Sequence, residues 1–395
     1  MKLLQVVPEA SQALPIVDAF LANEKGPGAL AAVLNRAGVS LPPEVALVAM
    51  NRASGAATRP EELVKAFQKA GGLRPMKLQL TPAEMEEMMR RVSSKGDPRR
   101  GEKVYRRASM QCIVCHAIGG AGGVIGPDLV SIGSSAPVDY LVESLLEPSK
   151  KIKEGYHTAL VTTRAGDNFA GAVAREDERE IVIRDAAGKE TRIPKGEVAS
   201  TTISPVSLMP VGLTASLRED EFVDLVRFLS ELGKEGAFKT PPNRLVRHWQ
   251  ALQPHQRTRD AVGHYGTRVF AEEFPTYQWI PIVAMVNGGL PADELPQVRG
   301  RGKNRYGVGR FFLEAAQPAK VPVKINGRLR DLDLFLGEQE IKLSEGTATT
   351  VTLDLKAGRN KVTLAGLLGR GFDAVSVELL GDAGAAEVVT HAELK

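Results

Sequence analysis

The sequence predicts a multidomain α+β protein with a helical N-terminal region, an all-α middle domain with a small β insertion, and a C-terminal β-sandwich. Three observations support this prediction. Apolar residues recur with a helical period before residue 94. Short alternating runs between turn signals follow residue 239. The segment between them holds both cysteines of the 395-residue chain. The predicted domains are 1–94, 95–238 and 239–395, and two to three domains are expected for this length.

Residues 1–94 are predicted to be helical because their apolar positions lie three and four residues apart. Thr81-Pro82-Ala83-Glu84 has the form of a capping box and predicts a further helix start. These helices resemble the end of a HEAT-like array, but their period is too irregular to assign repeats. The clearest helical stretches are Ala13 to Leu21, Ala29 to Ala37, Pro43 to Met50 and Glu61 to Ala70.

The middle region contains Cys112-Ile113-Val114-Cys115-His116, the Cys-x-x-Cys-His pattern by which a c-type haem is attached. Two thiols three positions apart can add to the two vinyl groups of one haem. The adjacent histidine then lies under the iron as its proximal ligand. Three alternatives stay open: another metal such as zinc, which needs four protein ligands in a structural site, a redox dithiol, and a chance match.

Met209 is the candidate for the second axial ligand. A histidine and a thioether sulfur together make an electron-carrying haem and raise its potential. Met209 precedes Pro210, which favours an extended backbone, and it lies ahead of the last helix of the region. His157 and Met110 are the rival ligands, and core packing is the ordinary role of a methionine.

The loop after the motif is predicted to orient the proximal histidine. Residues 119–123 read Gly-Gly-Ala-Gly-Gly, which is too rich in glycine for regular structure. The carbonyl of Pro127, a few residues on, could accept the Nδ1 proton of His116 and so fix the imidazole. An ordinary turn is the alternative interpretation of Pro127.

The flanking helices also favour a haem domain. Asp97 and Pro98 predict a helix start. Gly101 on that helix would let a second helix approach closely, and the stretch from Leu217 to Leu232 has the apolar stripe expected of that partner.

Residues from about 97 to 235 resemble the c-type cytochrome domain of large multidomain proteins from planctomycetes and verrucomicrobia. The resemblance implies an all-α domain of the class I cytochrome type, with covalent haem on Cys112 and Cys115 and with His116 and Met209 as axial ligands. Such domains are often joined to helical repeats and to a quinoprotein-like sugar dehydrogenase propeller, although no propeller repeat is present in this sequence. The matching segments are CIVCHAIGGAGGVIGPDL, YLVESLLEPSKKIKEGY, SLMPVGL and EFVDLVRFLSELG, and they span about a third of the chain.

The segment between His116 and Met209 is longer than a minimal cytochrome needs. Its additional residues are predicted to form a β insertion at about 156–204. Strand-like runs alternate there with hairpin breaks such as Ala165-Gly166-Asp167. The order of runs resembles a small Sm-like barrel, which would suggest RNA, but the segment mixes charges and lacks an aromatic platform for bases. We expect it to cover a haem edge or to dock a partner domain.

Basic residues crowd the segment before the motif and a second stretch near residue 150. A basic rim around a haem edge would steer acidic redox partners toward it, whereas a solvated face is the alternative. The residues are Arg99, Arg100, Lys103, Arg106, Arg107, Lys150, Lys151 and Lys153.

Residues 239–395 are predicted to form a β-sandwich whose texture resembles carbohydrate-binding jelly-roll modules. Asn326-Gly327 is a two-residue hairpin signal. Alternation through Val351, Leu353 and Leu355 is typical of a half-buried strand. A glycan could stack on aromatic rings of this region, but those rings could equally pack in a core or an interface. They are Tyr265, Tyr277, Trp279 and Tyr306.

Composition narrows the function classes. A hydrophobic content of 43% allows an ordinary core, and a net charge of +4 is too slight to predict nucleic-acid binding. No apolar run approaches the length of a membrane span. No signal peptide is evident, yet covalent haem attachment takes place outside the cytoplasm. We therefore expect this chain to be a piece of a longer periplasmic or otherwise exported protein.

The sequence thus predicts a monohaem electron-transfer module that relays electrons from a dehydrogenase, either a separate redox partner protein or a fused domain, to a downstream acceptor. We expect an electron carrier rather than an enzyme, because no carboxylate pair and no Ser/His/Asp arrangement stands out. Two alternatives stay open. One is a haem sensor or peroxidase-like enzyme with an open distal site, and the other is a glycan-binding protein that acts through the C-terminal sandwich.

Overall fold

The computed structural model describes residue 4 and the ranges 13–21, 23, 25–54, 60–73, 77, 79–107, 110–215, 217–300, 302–328, 331–368, 374–381 and 384–390. It divides into two compact units, Met1–Phe238 and Lys239–Lys395. Each unit contains helices and antiparallel sheets of its own.

The predicted fold class, with an all-α middle domain of the class I cytochrome type, is wrong. The described ranges form a mixed structure with four antiparallel sheets of up to eight strands, and two of these sheets lie in the middle region. Residues 158–204, which lie in the segment expected to be a small β insertion, pair into a five-stranded sheet with its own hydrophobic cluster, and residues 117–122 add a two-stranded sheet. The region is therefore a mixture of helices and sheet.

The N-terminal helices bury one apolar face each. Helix α4 buries Leu63, Ala66, Phe67 and Ala70, which repeat with the helical period. Helix α5 begins at a complete capping box, as its sequence predicts. The HEAT-like assignment stays a prediction, and residues 5–12 lie outside the described part. The helices are α1 (Ala13–Leu21), α2 (Gly26–Leu34), α3 (Pro43–Ser54), α4 (Glu61–Ala70) and α5 (Pro82–Lys95).

In its described part, the middle region contains five α-helices, and the first and last of them pack against each other. They are α6 (Pro98–Arg106), α7 (Cys112–Cys115), α8 (Ile132–Ser135), α9 (Val138–Leu146) and α10 (Glu219–Glu231). A methyl group on Gly101 of α6 would lie 2.6 Å from Cβ of Phe228 in α10, so the approach requires glycine. Arg100 adds two hydrogen bonds, of 2.6 and 3.0 Å, to the buried carboxylate of Asp224. The close approach predicted at Gly101 is confirmed.

The strands of the middle region form one small and one larger antiparallel sheet. In the larger sheet the order is β6-β5-β4-β3-β7, so β6 and β7 lie at the edges. One face buries Ala159, Val161, Ile181, Ile183 and Ile193. The strands are β1 (Ala117–Ile118), β2 (Ala121–Gly122), β3 (Thr158–Thr163), β4 (Asn168–Glu176), β5 (Glu180–Arg184), β6 (Glu190–Pro194) and β7 (Val198–Ser204).

The C-terminal unit is β-sandwich-like. Its larger sheet has the order β10-β9-β13-β18-β15-β16, with β12 and β20 paired to β13, and its smaller sheet has the order β11-β19-β14-β17, with β8 paired to β19. Both sheets contribute to one core, in which Phe311 and Leu313 of β13 are buried with Val323 and Ile325 of β14. The α-helix α11 (Gln256–Tyr265) lies between β9 and β10 in the sequence. The strands are β8 (Arg244–Leu245), β9 (His248–Leu252), β10 (Trp279–Val283), β11 (Leu290–Pro291), β12 (Gln297–Arg299), β13 (Arg305–Ala315), β14 (Ala319–Asn326), β15 (Leu332–Leu336), β16 (Gln339–Ile341), β17 (Ala348–Leu355), β18 (Gly358–Leu367), β19 (Ala374–Leu379) and β20 (Glu387–Val388).

The hairpin predicted at Asn326-Gly327 is wrong. Strand β14 ends at Asn326, but it pairs with β17 and β19, and the next strand, β15, belongs to the other sheet. Gly327 has a φ of 149° and donates its N–H to the carbonyl of Thr347. The glycine therefore redirects the chain between the two sheets, and packing in the sandwich overrides the local turn signal.

Candidate functional site

The Cys-x-x-Cys-His motif forms a single helical turn, α7. Gln111 precedes it with a φ of 56°, the only left-handed non-glycine residue in the described ranges. The N–H of His116 closes the turn by donating to the carbonyl of Cys112 at 2.8 Å. Because residues three apart lie on one side of a helical turn, this conformation brings the two cysteine side chains to the same side of the motif.

Both cysteines are free thiols, and burial raises the pKa of each. The pKa of Cys112 reaches about 12, and its Sγ lies 3.7 Å from the carbonyl of Met110. A reactive redox dithiol has a lowered pKa instead, so the environment disfavours that alternative. Met110, one of the rival ligands, is fully buried and has the position of a core residue.

His116 is held in one tautomer. Its Nδ1 lies 2.9 Å from the carbonyl oxygen of Pro127. A carbonyl can only accept, so Nδ1 carries the proton and Nε2 keeps its lone pair. Burial lowers the pKa of His116, although the hydrogen bond to Pro127 opposes the shift. A neutral imidazole oriented through its other nitrogen is the form in which histidine binds a metal.

The glycine-rich loop packs directly on the motif. Gly123 and Gly126 donate their N–H groups to the carbonyls of Ile113 and Cys115 at 2.9 and 2.8 Å. A methyl group on Gly126 would lie 2.7 Å from Nδ1 of His116. These positions therefore require glycine because the loop backbone touches the motif backbone and the histidine ring.

Two residues that sequence reasoning missed support this arrangement. The hydroxyl of Tyr105 on α6 donates to the carbonyl of His116 at 2.8 Å. The carboxylate of Asp128 accepts from the N–H groups of Gly119, Gly120 and Val130 at 2.7 to 2.9 Å. A single carboxylate next to a run of glycines was the available signal for Asp128, since exposed loop amides need an acceptor.

Met209 lies in a loop that hydrogen bonds anchor. Its N–H donates to Oγ of Ser207 at 3.1 Å, and the N–H of Ser207 donates to Oγ of Ser149 at 3.1 Å. The side chain of Met209 is half-buried. The structure thus ties the Met209 loop to the segment after α9, and the role of Met209 as a second ligand stays a prediction, with His157 as the remaining rival.

Exposed aliphatic side chains concentrate in the middle region. Of the nine large hydrophobic residues exposed within the described ranges, six lie between Val114 and Val211. Val114, inside the motif, is 58% exposed, and Val124 of the glycine-rich loop is 53% exposed. Exposed apolar side chains grouped in this way favour contact with an apolar ligand or partner.

Four of the eight basic residues near the motif form ion pairs with carboxylates of the chain. Arg100 is paired with Asp224, Arg107 with Glu221, and Lys150 and Lys151 with Glu143. Intramolecular pairing reduces the field that these side chains can project to a partner. The ion pairs favour the solvated-face interpretation over electrostatic steering.

Most of the aromatic residues singled out in the C-terminal unit pack within it. The guanidinium of Arg310 lies 4.0 Å from the centre of the Trp279 ring, and the hydroxyl of Tyr277 donates to the Val269 carbonyl at 2.9 Å. Tyr306 packs on Phe270 with 5.9 Å between ring centres, whereas Tyr265 is 76% exposed.

The described ranges contain no group of three or more His, Cys, Asp or Glu side chains that could hold a metal ion. A haem iron takes only two ligands from the protein, so the proposed ligand pair is smaller than such a group. Nor is any helix among these residues long and apolar enough to cross a membrane.

Comparison with known proteins leaves the family of the chain undetermined: no family model and no curated protein matches it. Among solved structures, a family 35 carbohydrate-binding module from an environmental isolate is similar at 15% identity and a TM-score of 0.19, over 26% of this chain and 88% of that one. Two structures of the β-glucosidase from Kluyveromyces marxianus, one of them in complex with glucose, give 8% and 9% identity and TM-scores of 0.22 and 0.21. Those alignments cover 34% and 36% of this chain and 16% of the glucosidase. Likenesses at these TM-scores carry no argument about fold or function.

Proposed function

We propose that the middle region binds one covalent haem c through Cys112 and Cys115, with His116 and Met209 as axial ligands, and that it transfers electrons. The observation that carries this proposal is the orientation of the half-buried His116, whose Nδ1 lies 2.9 Å from the Pro127 carbonyl oxygen and whose Nε2 is thereby left to bind iron. The motif, the free thiols and the exposed aliphatic side chains beside it support the same function.

A bound haem supplies a one-electron iron couple whose potential depends on axial ligands, burial and hydrogen bonding. The residues of this chain set those conditions. Cys112 and Cys115 hold the macrocycle, Pro127 orients His116, and the half-buried loop at Met209 offers a thioether. We infer an exported location, because the attachment chemistry takes place outside the cytoplasm, and a dehydrogenase as electron donor. In the C-terminal unit, Arg310 covers one face of Trp279, which disfavours stacking of a sugar on that face of the ring.

The test is expression of the chain with haem-maturation machinery in a bacterial periplasm. Wild-type protein should be red and should keep its pigment in acidified acetone, because thioether bonds survive that treatment. The variant with both Cys112→Ala and Cys115→Ala should lose the pigment, while the variant with both Ser93→Ala and Ser94→Ala, a matched control at exposed positions outside the motif, should keep it. Colourless wild-type protein would contradict the proposal.

A further inference from the structure

The five-stranded sheet β3–β7 contacts both of the loops that carry the proposed ligands. At the end of β5, Nη1 of Arg184 donates a hydrogen bond of 2.8 Å to the carbonyl of Val124 in the glycine-rich loop. At the start of β3, Oγ1 of Thr158 donates a hydrogen bond of 2.8 Å to the carbonyl of Val206, three residues before Met209. One sheet is thereby attached to a loop on the histidine side and to a loop on the methionine side.

The contact of Arg184 lies where it bears on the histidine. The Val124 carbonyl stands between the N–H groups of Gly123 and Gly126, and both of these bind carbonyls of the motif turn. Gly126 in turn touches the ring of His116. A displacement of Val124 would therefore reach the imidazole through a short stretch of backbone that hydrogen bonds hold at Gly123 and Gly126.

The donor itself is well fixed. The side chain of Arg184 is 23% exposed, and its other nitrogens donate to Oε1 of Glu190 on β6 at 2.6 and 3.1 Å. A guanidinium held by a carboxylate on the neighbouring strand makes a strong, oriented bond to a carbonyl. The hydroxyl of Thr158 is comparably placed, since its residue is buried at the junction of the sheet with the Val206 loop.

We propose that the sheet positions both ligands, with Arg184 acting on the His116 side and Thr158 on the Met209 side. This inference rests on the proposed function and assigns each of the two residues to the positioning of one ligand. Both are positioning residues, because each acts through a loop backbone and neither supplies an atom to the iron. Replacing each should therefore leave haem attachment intact and change the geometry of one ligand only.

Hydrogen exchange of the full chain tests the loop contact without relying on redox activity. Arg184→Met removes the donors and keeps the aliphatic stem, and we expect roughly tenfold faster exchange in residues 117–130. Arg175→Met is the matched control, since Arg175 also pairs with a glutamate of the next strand, Glu180, in the same sheet. Equal exchange in the two variants overturns the role of Arg184.

Spectra of the haem-loaded protein test the ligand geometry. Arg184→Met should shift the haem methyl resonances of the oxidised protein while the iron–sulfur charge-transfer band persists, and Arg184→Lys should restore them in part. Thr158→Val should instead raise the population without the iron–sulfur bond about fivefold, with rescue by Thr158→Ser. Thr162→Val is its control, because the Thr162 hydroxyl bonds Asn168 on the neighbouring strand, at 2.9 Å.

The outcomes separate the two proposals. Colourless wild-type protein overturns the proposed function and the ligand role of the sheet with it. Haem-loaded protein in which both variants give wild-type spectra overturns only the positioning role. Coloured variants with the two distinct signatures support both.

Discussion

The contact between Gly126 and His116 makes the substitution Gly126→Ala the most direct test of the site. A methyl group there would lie 2.7 Å from Nδ1 of the imidazole and closer still to Cε1. Comfortable contact between heavy atoms begins at about 3.5 Å, so the ring must withdraw by close to an ångström. Because the Nδ1–oxygen distance to Pro127 is already 2.9 Å, that movement breaks the hydrogen bond.

The cost follows from two opposing effects. Leaving a buried donor without its acceptor costs about 1–3 kcal/mol. Alanine loses less entropy than glycine on folding, which returns about 0.4–1 kcal/mol. We therefore expect Gly126→Ala to lower the free energy of unfolding by about 1–2 kcal/mol and to release His116 from its single tautomer.

Two measurements decide the outcome: urea unfolding gives the stability, and nitrogen NMR of the imidazole gives the tautomer. Gly196→Ala is the control, because a methyl group at Gly196 meets open space, and it should change neither quantity by more than a few tenths of a kcal/mol. Unchanged stability together with an unchanged tautomer in Gly126→Ala would refute the argument that the loop holds the ring.

Three further substitutions test other parts of the middle region and its neighbouring helix. Gly101→Ala should destabilise the protein by about 1–3 kcal/mol in urea, because the added methyl group would overlap the Asp224 backbone. The pKa of Glu84 is lowered from its ordinary 4.5 to about 2, and the hydrogen bond from Lys77 is the largest cause. The ionised Glu84 carboxylate therefore stabilises the fold above pH 4.5, and this stabilisation is lost as the pH falls toward 2. Glu84→Gln should flatten the acid dependence of helix content between these two pH values. Met209→Ala should keep covalent haem, lower the reduction potential and admit carbon monoxide.

Each of these has a matched control on the same kind of element. Gly28→Ala also places a methyl group on a helical glycine, but in open space, and should stabilise slightly. Glu86→Gln removes a neighbouring carboxylate of the same helix and should leave the acid dependence in place. Met85→Ala should leave the potential unchanged. Identical behaviour of test and control variants would contradict the corresponding reasoning.

The sequence predicted those features of the site that depend on residues close together in the chain. Cys112, Cys115 and His116 lie within five residues, and a one-turn helix brings them together without help from distant segments. Gly101 could be identified because the apolar stripe from Leu217 to Leu232 needed a helix to pack against. The structure shows that close approach at Gly101. The hydrogen bond at Pro127 spans only eleven positions.

The pairing of segments that are distant in the sequence could not be predicted, because local patterns do not record it. Alternating residues indicate strands but not their neighbours, so the order β6-β5-β4-β3-β7 could not be inferred. Arg184 and Val124 are sixty positions apart, and nothing in either segment marks the other. At Asn326-Gly327 a strong local signal misled, because pairing in the sandwich overrode it.

The packing of α6 against α10 has a consequence for the order of folding. Arg100 and Asp224 are 124 positions apart, so their contact closes a long loop and carries a large entropic cost. The β3–β4 and β4–β5 ribbons pair residues close in sequence, and we expect them to form first. Because α7 packs against α6, we expect both thiols to stay open to reagents until α6 and α10 meet. Pulse alkylation during refolding should therefore label Cys112 late into the reaction, and protection before the helices dock would contradict this order.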